Sequence, residues 1–205
     1  MAAHPKRVQF DLTSPARPFS LLKKWYEKAE GCGLEDPNGM TLATATPDGA
    51  PSARIVLLKQ VVDDGLIFFT NRQSQKGEEL EANPNAAVVL WWPEMHRQIR
   101  VTGSVSHVTE DVSDAYFDSR PRAYRLGAWA SKQSQAIPNK FAMEKAFLRL
   151  RTKYKGKDVP RPPHWGGYLL KASTIEFWEL RVNRLHDRQC FTKNGADWTL
   201  EKLYP

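Results

Sequence analysis

The stretch from residue 40 to residue 70, MTLATATPDGAPSARIVLLKQVVDDGLIFFT, indicates the fold class of this chain. Three segments rich in β-forming residues lie within it, at 40–46, 52–61 and 66–70. Pro-Asp-Gly separates the first segment from the second, and Asp-Asp-Gly separates the second from the third. These residues favour tight turns. Short β-rich segments joined by turns are typical of an antiparallel meander.

Helices and further strands flank this stretch. A helix is predicted to begin at Pro18, because Phe19, Leu22 and Trp25 recur at helical spacing. Beyond residue 70 the sequence predicts four helices, at 74–83, 109–120, 122–131 and 139–154. It also predicts six strands, at 86–92, 97–108, 167–172, 174–180, 184–192 and 197–203. Asn194-Gly195 is the strongest hairpin signal. We therefore predict a mainly β chain with α insertions, folded as a closed antiparallel barrel.

Composition excludes several classes of protein. The chain has 205 residues with 30 Lys and Arg against 23 Asp and Glu, and its 7 Trp, 6 Tyr and 9 Phe argue against disorder. We predict a flexible tail over 1–17 and one domain over 18–205. The longest apolar segment, 86–92, is far too short to cross a membrane, and the first residues lack a hydrophobic signal region. With only two cysteines and no C-x-x-C, the protein is expected to be cytoplasmic.

Histidine spacing and glycine motifs exclude further kinds of site. No H-x-x-x-H or H-E-x-x-H pattern occurs, so no metal site is expected. Neither G-x-G-x-x-G nor the P-loop motif is present, which removes the usual sequence support for a dinucleotide or P-loop site.

Positive charges recur at positions that suit anionic groups. If 184–192 is a regular strand, Arg184, His186 and Arg188 share one face, as expected beside an anion or an electron-rich ring. The alternative is a solvated face of a terminal strand. Arg54 and Lys59 are five residues apart, so a regular strand would direct them to opposite faces and serve two anions. A surface strand ended by two charges is the alternative.

Two more clusters lie at helix ends. Ser74-Gln75-Lys76-Gly77 lies at the start of a predicted helix, where free N–H groups favour phosphate, although an ordinary N-cap explains the serine equally well. Arg120-Pro121-Arg122 follows Tyr116 by one turn and could clamp another phosphate; favourable pairing with the helix dipole is the alternative. Apolar strands separate these clusters, which favours a small phosphorylated ligand over nucleic acid.

Eight motifs, in order along the chain, carry a resemblance to a known family. They are Arg54-Ile-Val-Leu-Leu-Lys59, Phe68-Phe-Thr-Asn71, Arg97-Gln98, Tyr116-Phe117 with Ser119-Arg-Pro-Arg122, Gly127-Ala-Trp-Ala-Ser-Lys-Gln-Ser134, Trp165-Gly-Gly-Tyr168, Glu176-Phe-Trp178 and Asn183-Arg-Leu-His-Asp-Arg188. Together they resemble the pyridoxamine 5′-phosphate oxidase family, from about residue 18 to Pro205.

The resemblance implies an antiparallel split β-barrel homodimer with FMN at the subunit interface. It implies oxidation of pyridoxamine 5′-phosphate or pyridoxine 5′-phosphate to pyridoxal 5′-phosphate, with oxygen reduced to hydrogen peroxide. The implied FMN contacts are Arg54, Ile55, Val56, Leu57, Phe69, Thr70, Gln75, Lys76, Gln98, Gln133, Ser134, Trp178 and Arg188. The implied substrate contacts are Lys59, Tyr116, Arg120, Tyr124, Arg184, Leu185 and His186. Arg184 and His186, which would cover the pyridine ring opposite the flavin, are the implied catalytic residues.

Three positions depart from the family pattern. Gln75 replaces an arginine beside the flavin phosphate, so weaker FMN binding is expected. Tyr124 replaces a serine that touches the substrate phosphate, and Glu179 replaces a glutamine and is expected to add negative charge near the ring. These departures leave open a diverged paralogue, either a flavin oxidase acting on another reduced aromatic, as in phenazine pathways, or a non-catalytic carrier of FMN or pyridoxal phosphate. A basic nucleic-acid-binding barrel is the remaining alternative.

Overall fold

The computed structural model describes residues 18–205; the predicted tail, 1–17, lies outside the described residues. The helices are α1 (Pro18–Glu30), α2 (Gln75–Ala82), α3 (Glu110–Ser119), α4 (Arg122–Ala130) and α5 (Ala142–Lys153). The strands are β1 (Gly39–Ala45), β2 (Pro51–Leu57), β3 (Gln60–Val61), β4 (Gly65–Asn71), β5 (Asn85–Trp92), β6 (Arg97–His107), β7 (Trp165–Glu179), β8 (Asp187–Asn194) and β9 (Asp197–Lys202). Two 3₁₀ turns occur at Pro93–Met95 and Val182–Arg184. None of these helices is long and apolar enough to span a membrane.

All nine strands belong to one antiparallel sheet in the order β2-β1-β5-β6-β7-β4-β3, with β8 paired to β7 and β9 to β8. Strand β7 organises this sheet. Its first half pairs with β4 and its second half with β8, while β6 lies along its other edge. The prediction of a mainly β, antiparallel chain with α insertions is confirmed.

The core lies where the inward faces of these strands meet α1. Leu42, Val88 and Val101 are fully buried on neighbouring strands. Helix α1 packs Trp25 edge-on against Phe177, with ring centroids 5.2 Å apart. Burying a side chain of this kind stabilises the fold by about 1.5–3 kcal/mol, so packing rather than intrinsic helicity holds α1 in place.

The predicted strand 52–61 is two strands with a break between them. Strand β2 ends at Leu57, and the Lys59 N–H donates to the Ile67 carbonyl as the chain turns into β3. Arg54 and Lys59 therefore do not lie on one regular strand, so their spacing alone does not assign them to opposite faces. The backbone groups at the break stay paired, since the Leu58 N–H donates to the Asn38 carbonyl.

The predicted strands at 167–180 and 184–192 also differ from the structure. The segment predicted as two strands is the single strand β7, and the interruption is a shift of its register with β6 beside Gly103. A Cβ at Gly103 would lie 2.0 Å from the Lys171 carbonyl oxygen, so this close approach requires glycine. Strand β8 begins at Asp187, so Arg184 and His186 lie in the preceding turn and the predicted row on one strand face was wrong.

Candidate active site

A buried ionic cluster forms where β2 meets α2. The Arg54 guanidinium donates to Thr44 Oγ1 at 2.5 Å, to Ser52 Oγ at 2.5 Å and to Glu79 Oε2 at 3.1 Å. Burial of Glu79 opposes its ionisation, but hydrogen bonds from Ser52, Thr44, Gln75 and Arg54 outweigh burial and lower its pKa to about 2. The carboxylate therefore stays charged and fixes the direction of the guanidinium.

Lys76 adds a second buried cation beside this cluster, in the first turn of α2. Its ammonium donates to Ser74 Oγ at 3.2 Å, and burial, followed by repulsion from Arg54, lowers its pKa. Ser74 occupies the N-cap position, but its hydroxyl donates to the Asn71 carbonyl and does not cap the helix. Two cations beside a helix N-terminus whose N–H groups are not capped by Ser74 form an environment that suits a phosphate.

Gln75 lies in the same turn and faces the carboxylate. Its Nε2 donates to Glu79 Oε1 at 2.8 Å. Where the family pattern has a cation, this chain has an amide already engaged with Glu79. The cluster thus has two cations, Arg54 and Lys76, and one carboxylate, Glu79. An arginine at position 75 would make its net charge more positive.

A second group, built on stacked aromatic rings, lies between β4, β7 and α3. Phe69 stacks on Tyr116 with centroids 4.0 Å apart and on Trp165 at 5.5 Å. Lys59 Nζ lies 5.8 Å from the Tyr116 ring, and Arg120 Cζ lies 4.7 Å from the Trp165 ring. Three residues predicted to hold the substrate phosphate therefore converge on this stack.

Arg120 is the most constrained of these side chains. Burial lowers its pKa, while nearby Tyr116 and Tyr124 act in the opposite direction, and its buried Nη1 has no hydrogen-bond partner among the described residues. A buried, unpaired guanidinium nitrogen is costly unless an anion completes it. Arg122, by contrast, donates to the Tyr154 and Lys157 carbonyls. Its guanidinium therefore binds the loop after α5 and does not form a clamp with Arg120.

The loop after α4 contacts β4 beside the aromatic stack. Thr70 Oγ1 donates to Gln133 Oε1 at 3.5 Å, and Ser134 adopts a left-handed φ of 71°. On β2, Val56 is buried while Ile55 and Leu57 are largely exposed, as alternation along a strand requires. Tyr124 is also exposed.

The residues of these groups, which we call the phosphate half, are Arg54, Ile55, Val56, Leu57, Lys59, Phe69, Thr70, Gln75, Lys76, Tyr116, Arg120, Tyr124, Gln133 and Ser134.

The remaining predicted residues form a separate group, the ring half. It consists of Gln98, Trp178, Arg184, Leu185, His186 and Arg188. Gln98, Trp178 and Arg188 are direct neighbours across β6, β7 and β8. The Trp178 and His186 rings lie 4.6 Å apart. Arg188 donates to Glu176 Oε1 at 2.8 Å, and this hydrogen bond raises the Arg188 pKa.

The aromatic stack of the phosphate half and the ring half lie towards opposite ends of β7. Phe69 pairs with Gly167 on β7, and Trp178 lies eleven residues further along the same strand. At a rise of about 3.3 Å per residue, the path along the strand between these two positions is about 36 Å. The phosphate half and the ring half share no hydrogen bond or ring contact among the described residues, so Tyr116 and His186 belong to separate groups within one chain.

Several residues that support the phosphate half were not among the predicted site residues. Glu79, Thr44 and Ser52 surround Arg54, and Trp165 supports Arg120. Glu79 lies one helical turn after Gln75, which is the only local signal that pointed to it.

Comparisons with known proteins cover nearly the whole chain. The family model described as pyridoxamine 5′-phosphate oxidase matches residues 27–154, and the model described as pyridoxine 5′-phosphate oxidase C-terminal dimerisation region matches residues 165–205. A pyridoxine/pyridoxamine 5′-phosphate oxidase from a Cyanothece species is 52% identical over 92% of this chain and 88% of its own. The enzyme of the same name from Rubrobacter xylanophilus is 47% identical over 93% of this chain and 87% of its own.

Solved structures are similar over the same range. PhzG from Burkholderia lata, in complex with tetrahydrophenazine-1-carboxylic acid, has a TM-score of 0.90 and 32% identity, covering 97% of this chain and 98% of its own. A pyridoxamine 5′-phosphate oxidase-related, FMN-binding protein from Nostoc punctiforme has a TM-score of 0.73 and 20% identity, covering 92% and 98%. The second likeness concerns the fold alone, and the fold is the predicted split barrel.

Proposed function

Because the chain belongs to the pyridoxamine 5′-phosphate oxidase family of oxidoreductases, we propose that it oxidises pyridoxamine 5′-phosphate and pyridoxine 5′-phosphate to pyridoxal 5′-phosphate. Oxygen accepts the electrons and leaves as hydrogen peroxide. We propose the cytoplasm as its compartment, where the free thiols of Cys32 and Cys190 would stay reduced.

The convergence of Lys59, Tyr116 and Arg120 carries this proposal. Two cations and a phenol hydroxyl around stacked rings suit a phosphorylated aromatic. The buried Arg120 Nη1 gains its missing partner when a phosphate oxygen accepts from it. These residues would orient the substrate by holding its phosphate, and they would not take part in the chemistry at the reacting carbon.

The chemistry of the donors also suits FMN. Arg54 and Lys76, beside the N-terminus of α2, would hold its phosphate, and the exposed Ile55 and Leu57 would offer apolar contact. The remaining proposed contacts are Val56, Phe69, Thr70, Gln75, Gln133 and Ser134. Bound FMN would supply the hydride acceptor that no side chain provides.

We propose that the ring half of each site comes from a second copy of the chain. The proposed substrate would meet Tyr116 and His186 at once, yet these residues belong to two groups that share no hydrogen bond or ring contact among residues 18–205. The residues of the ring half beyond position 165 lie in the region whose family model is described as a dimerisation region. In a homodimer, Gln98, Trp178 and Arg188 would complete the FMN site, and Arg184, Leu185 and His186 would contact the substrate ring.

A second candidate function is oxidation of a reduced phenazine. The likeness to PhzG, whose solved complex contains tetrahydrophenazine-1-carboxylic acid, favours it. Such a substrate carries a carboxylate and no phosphate, and would leave the site around Lys59, Tyr116 and Arg120 without its best partner. We therefore rank it second.

The test is turnover by FMN-loaded protein with pyridoxamine 5′-phosphate or pyridoxine 5′-phosphate in air, measuring pyridoxal 5′-phosphate and peroxide. Tetrahydrophenazine-1-carboxylic acid is assayed in parallel. We expect turnover of the B6 phosphates and a higher KM in Arg120→Met. Turnover of the phenazine alone would favour the second function, and flavin binding without any turnover would identify a carrier.

A further inference from the structure

The turn between β7 and β8 has an unusual backbone. Two consecutive residues of this turn are left-handed, Asn183 with φ 57° and Arg184 with φ 60°. Asparagine tolerates this conformation, but arginine rarely adopts it. A strained backbone of this kind persists only where its surroundings hold it in place. The turn also contains His186, so the restraint acts on both proposed catalytic residues.

Arg181 provides that restraint. Its Nε donates to Asp187 Oδ2 at 2.7 Å and its Nη2 donates to Glu179 Oε2 at 2.7 Å. Glu179 is the last residue of β7 and Asp187 the first of β8, so one guanidinium ties together the two ends of the turn. The Arg181 backbone N–H also donates to His186 Nδ1 at 3.3 Å.

Glu179 is itself anchored to the body of the protein. Its second oxygen, Oε1, accepts from Arg97 Nε at 3.0 Å and from Arg97 Nη2 at 2.8 Å. The Arg97 guanidinium lies 4.4 Å from the Trp25 ring of α1. The carboxylate of Glu179 is therefore shared by two arginines, on the strand face opposite Trp178. Glu179 was predicted to add negative charge near the ring. Its contacts with Arg97 and Arg181 instead favour a role in holding the turn.

We propose that Arg181 is a positioning residue that, together with Glu179 and Asp187, sets the direction of Arg184 and the tautomer of His186. The backbone N–H of Arg181, which the clamp made by its side chain would hold in place, donates to His186 Nδ1 and leaves that nitrogen as an acceptor, so the proton of the neutral imidazole lies on Nε2. His186 then presents an N–H donor to its surroundings. The catalytic part of this inference rests on the proposed function, whereas the tautomer is a property of the protein alone.

The test compares wild-type protein with Arg181→Met. The control is Lys171→Met, which removes an exposed cation whose ion pair with Asp64 spans 3.8 Å at a distance from the turn. In ¹⁵N-histidine spectra at alkaline pH, with His186 assigned by its loss in His186→Asn, we expect one tautomer in wild type and in the control. A mixture of tautomers is expected in Arg181→Met, because the backbone N–H of residue 181 would no longer be held against His186 Nδ1.

Kinetics provide the second measurement. With pyridoxamine 5′-phosphate, kcat of Arg181→Met should fall by about tenfold, because misplacing a catalytic group is costly. KM should change little, since the phosphate contacts lie in the other half of the site, and the FMN dissociation constant should be unchanged. If Arg181→Met does not fold, Arg181→Lys provides the same test, because its single ammonium cannot span Glu179 and Asp187 with the same geometry.

Two results overturn the proposal. One is an unchanged tautomer of His186 in the variant, whatever its turnover; the other is an altered tautomer with wild-type kcat. Wild-type protein that turns over no B6 phosphate would refute the proposed function instead, and the histidine spectra would still decide whether Arg181 positions the turn.

Discussion

Replacing Glu79 with glutamine should destabilise the protein in a pH-dependent way. Hydrogen bonds from Ser52, Thr44, Gln75 and Arg54 prevail over burial and hold the Glu79 pKa at about 2, against an ordinary value of 4.5. At about 1.36 kcal/mol for each pH unit, ionised Glu79 contributes up to about 3 kcal/mol to the free energy of unfolding. Because the folded-state pKa is depressed, this contribution is complete above pH 4.5 and is lost as the pH falls from there towards 2.

The assay is urea unfolding of flavin-free protein, followed by tryptophan fluorescence at fixed protein concentration from about pH 7 to about pH 3. FMN is left out because its phosphate would neutralise the same cations. The free energy of unfolding of wild type should fall below pH 4.5. The free energy of unfolding of Glu79→Gln should be lower than that of wild type at pH 7 and should change less as the pH falls. The control is Glu78→Gln, an exposed neighbour on the same helix. Parallel pH profiles for wild type and Glu79→Gln would refute the reasoning.

Four further substitutions, one of them a control, test other parts of the structure. Arg184→Ala should lower turnover at least tenfold with little change in flavin content, and unchanged turnover of saturated enzyme would reject its role. Gln75→Arg should tighten FMN binding by about tenfold, because an arginine can pair with Glu79 and still face the phosphate; equal dissociation constants in a fluorescence titration would contradict this. Gly77→Ala should cost about 1–3 kcal/mol, because its Cβ would lie 2.2 Å from a backbone carbonyl oxygen. Gly127→Ala, whose Cβ meets nothing within 4 Å, should leave the melting temperature the same or higher, and equal melting temperatures for both variants would count against the steric argument.

Glu79 shows why part of the site could not be predicted from the sequence. Arg54 and Lys76 were identified because their motifs are local and resemble those of a known family. The carboxylate that orients Arg54 lies 25 residues away from it, and only the packing of α2 against the sheet brings the two together. The convergence of Arg120 and Trp165 likewise depends on contacts between α3 and β7.

The sequence by itself determined the local structure. The hairpin predicted from Asn194-Gly195 forms between β8 and β9, with Gly195 and Ala196 as its loop and Gly195 at φ 61°, because the twist of paired strands requires a left-handed residue there. The apolar spacing after Pro18 likewise determined α1. Such features depend on neighbouring residues, whose torsional preferences can be inferred from the order of the chain.

Only the tertiary structure decided how distant segments combine. Strand periodicity assigned Arg184, His186 and Arg188 to one face, but Arg184 and His186 lie in the turn before β8, where Asn183 and Arg184 are left-handed and Arg181 donates to Glu179 and Asp187. The separation of the phosphate half from the ring half follows from the register of β7 with β4 and β8. Register depends on how the whole sheet buries its apolar faces, so no single segment of the sequence specifies it.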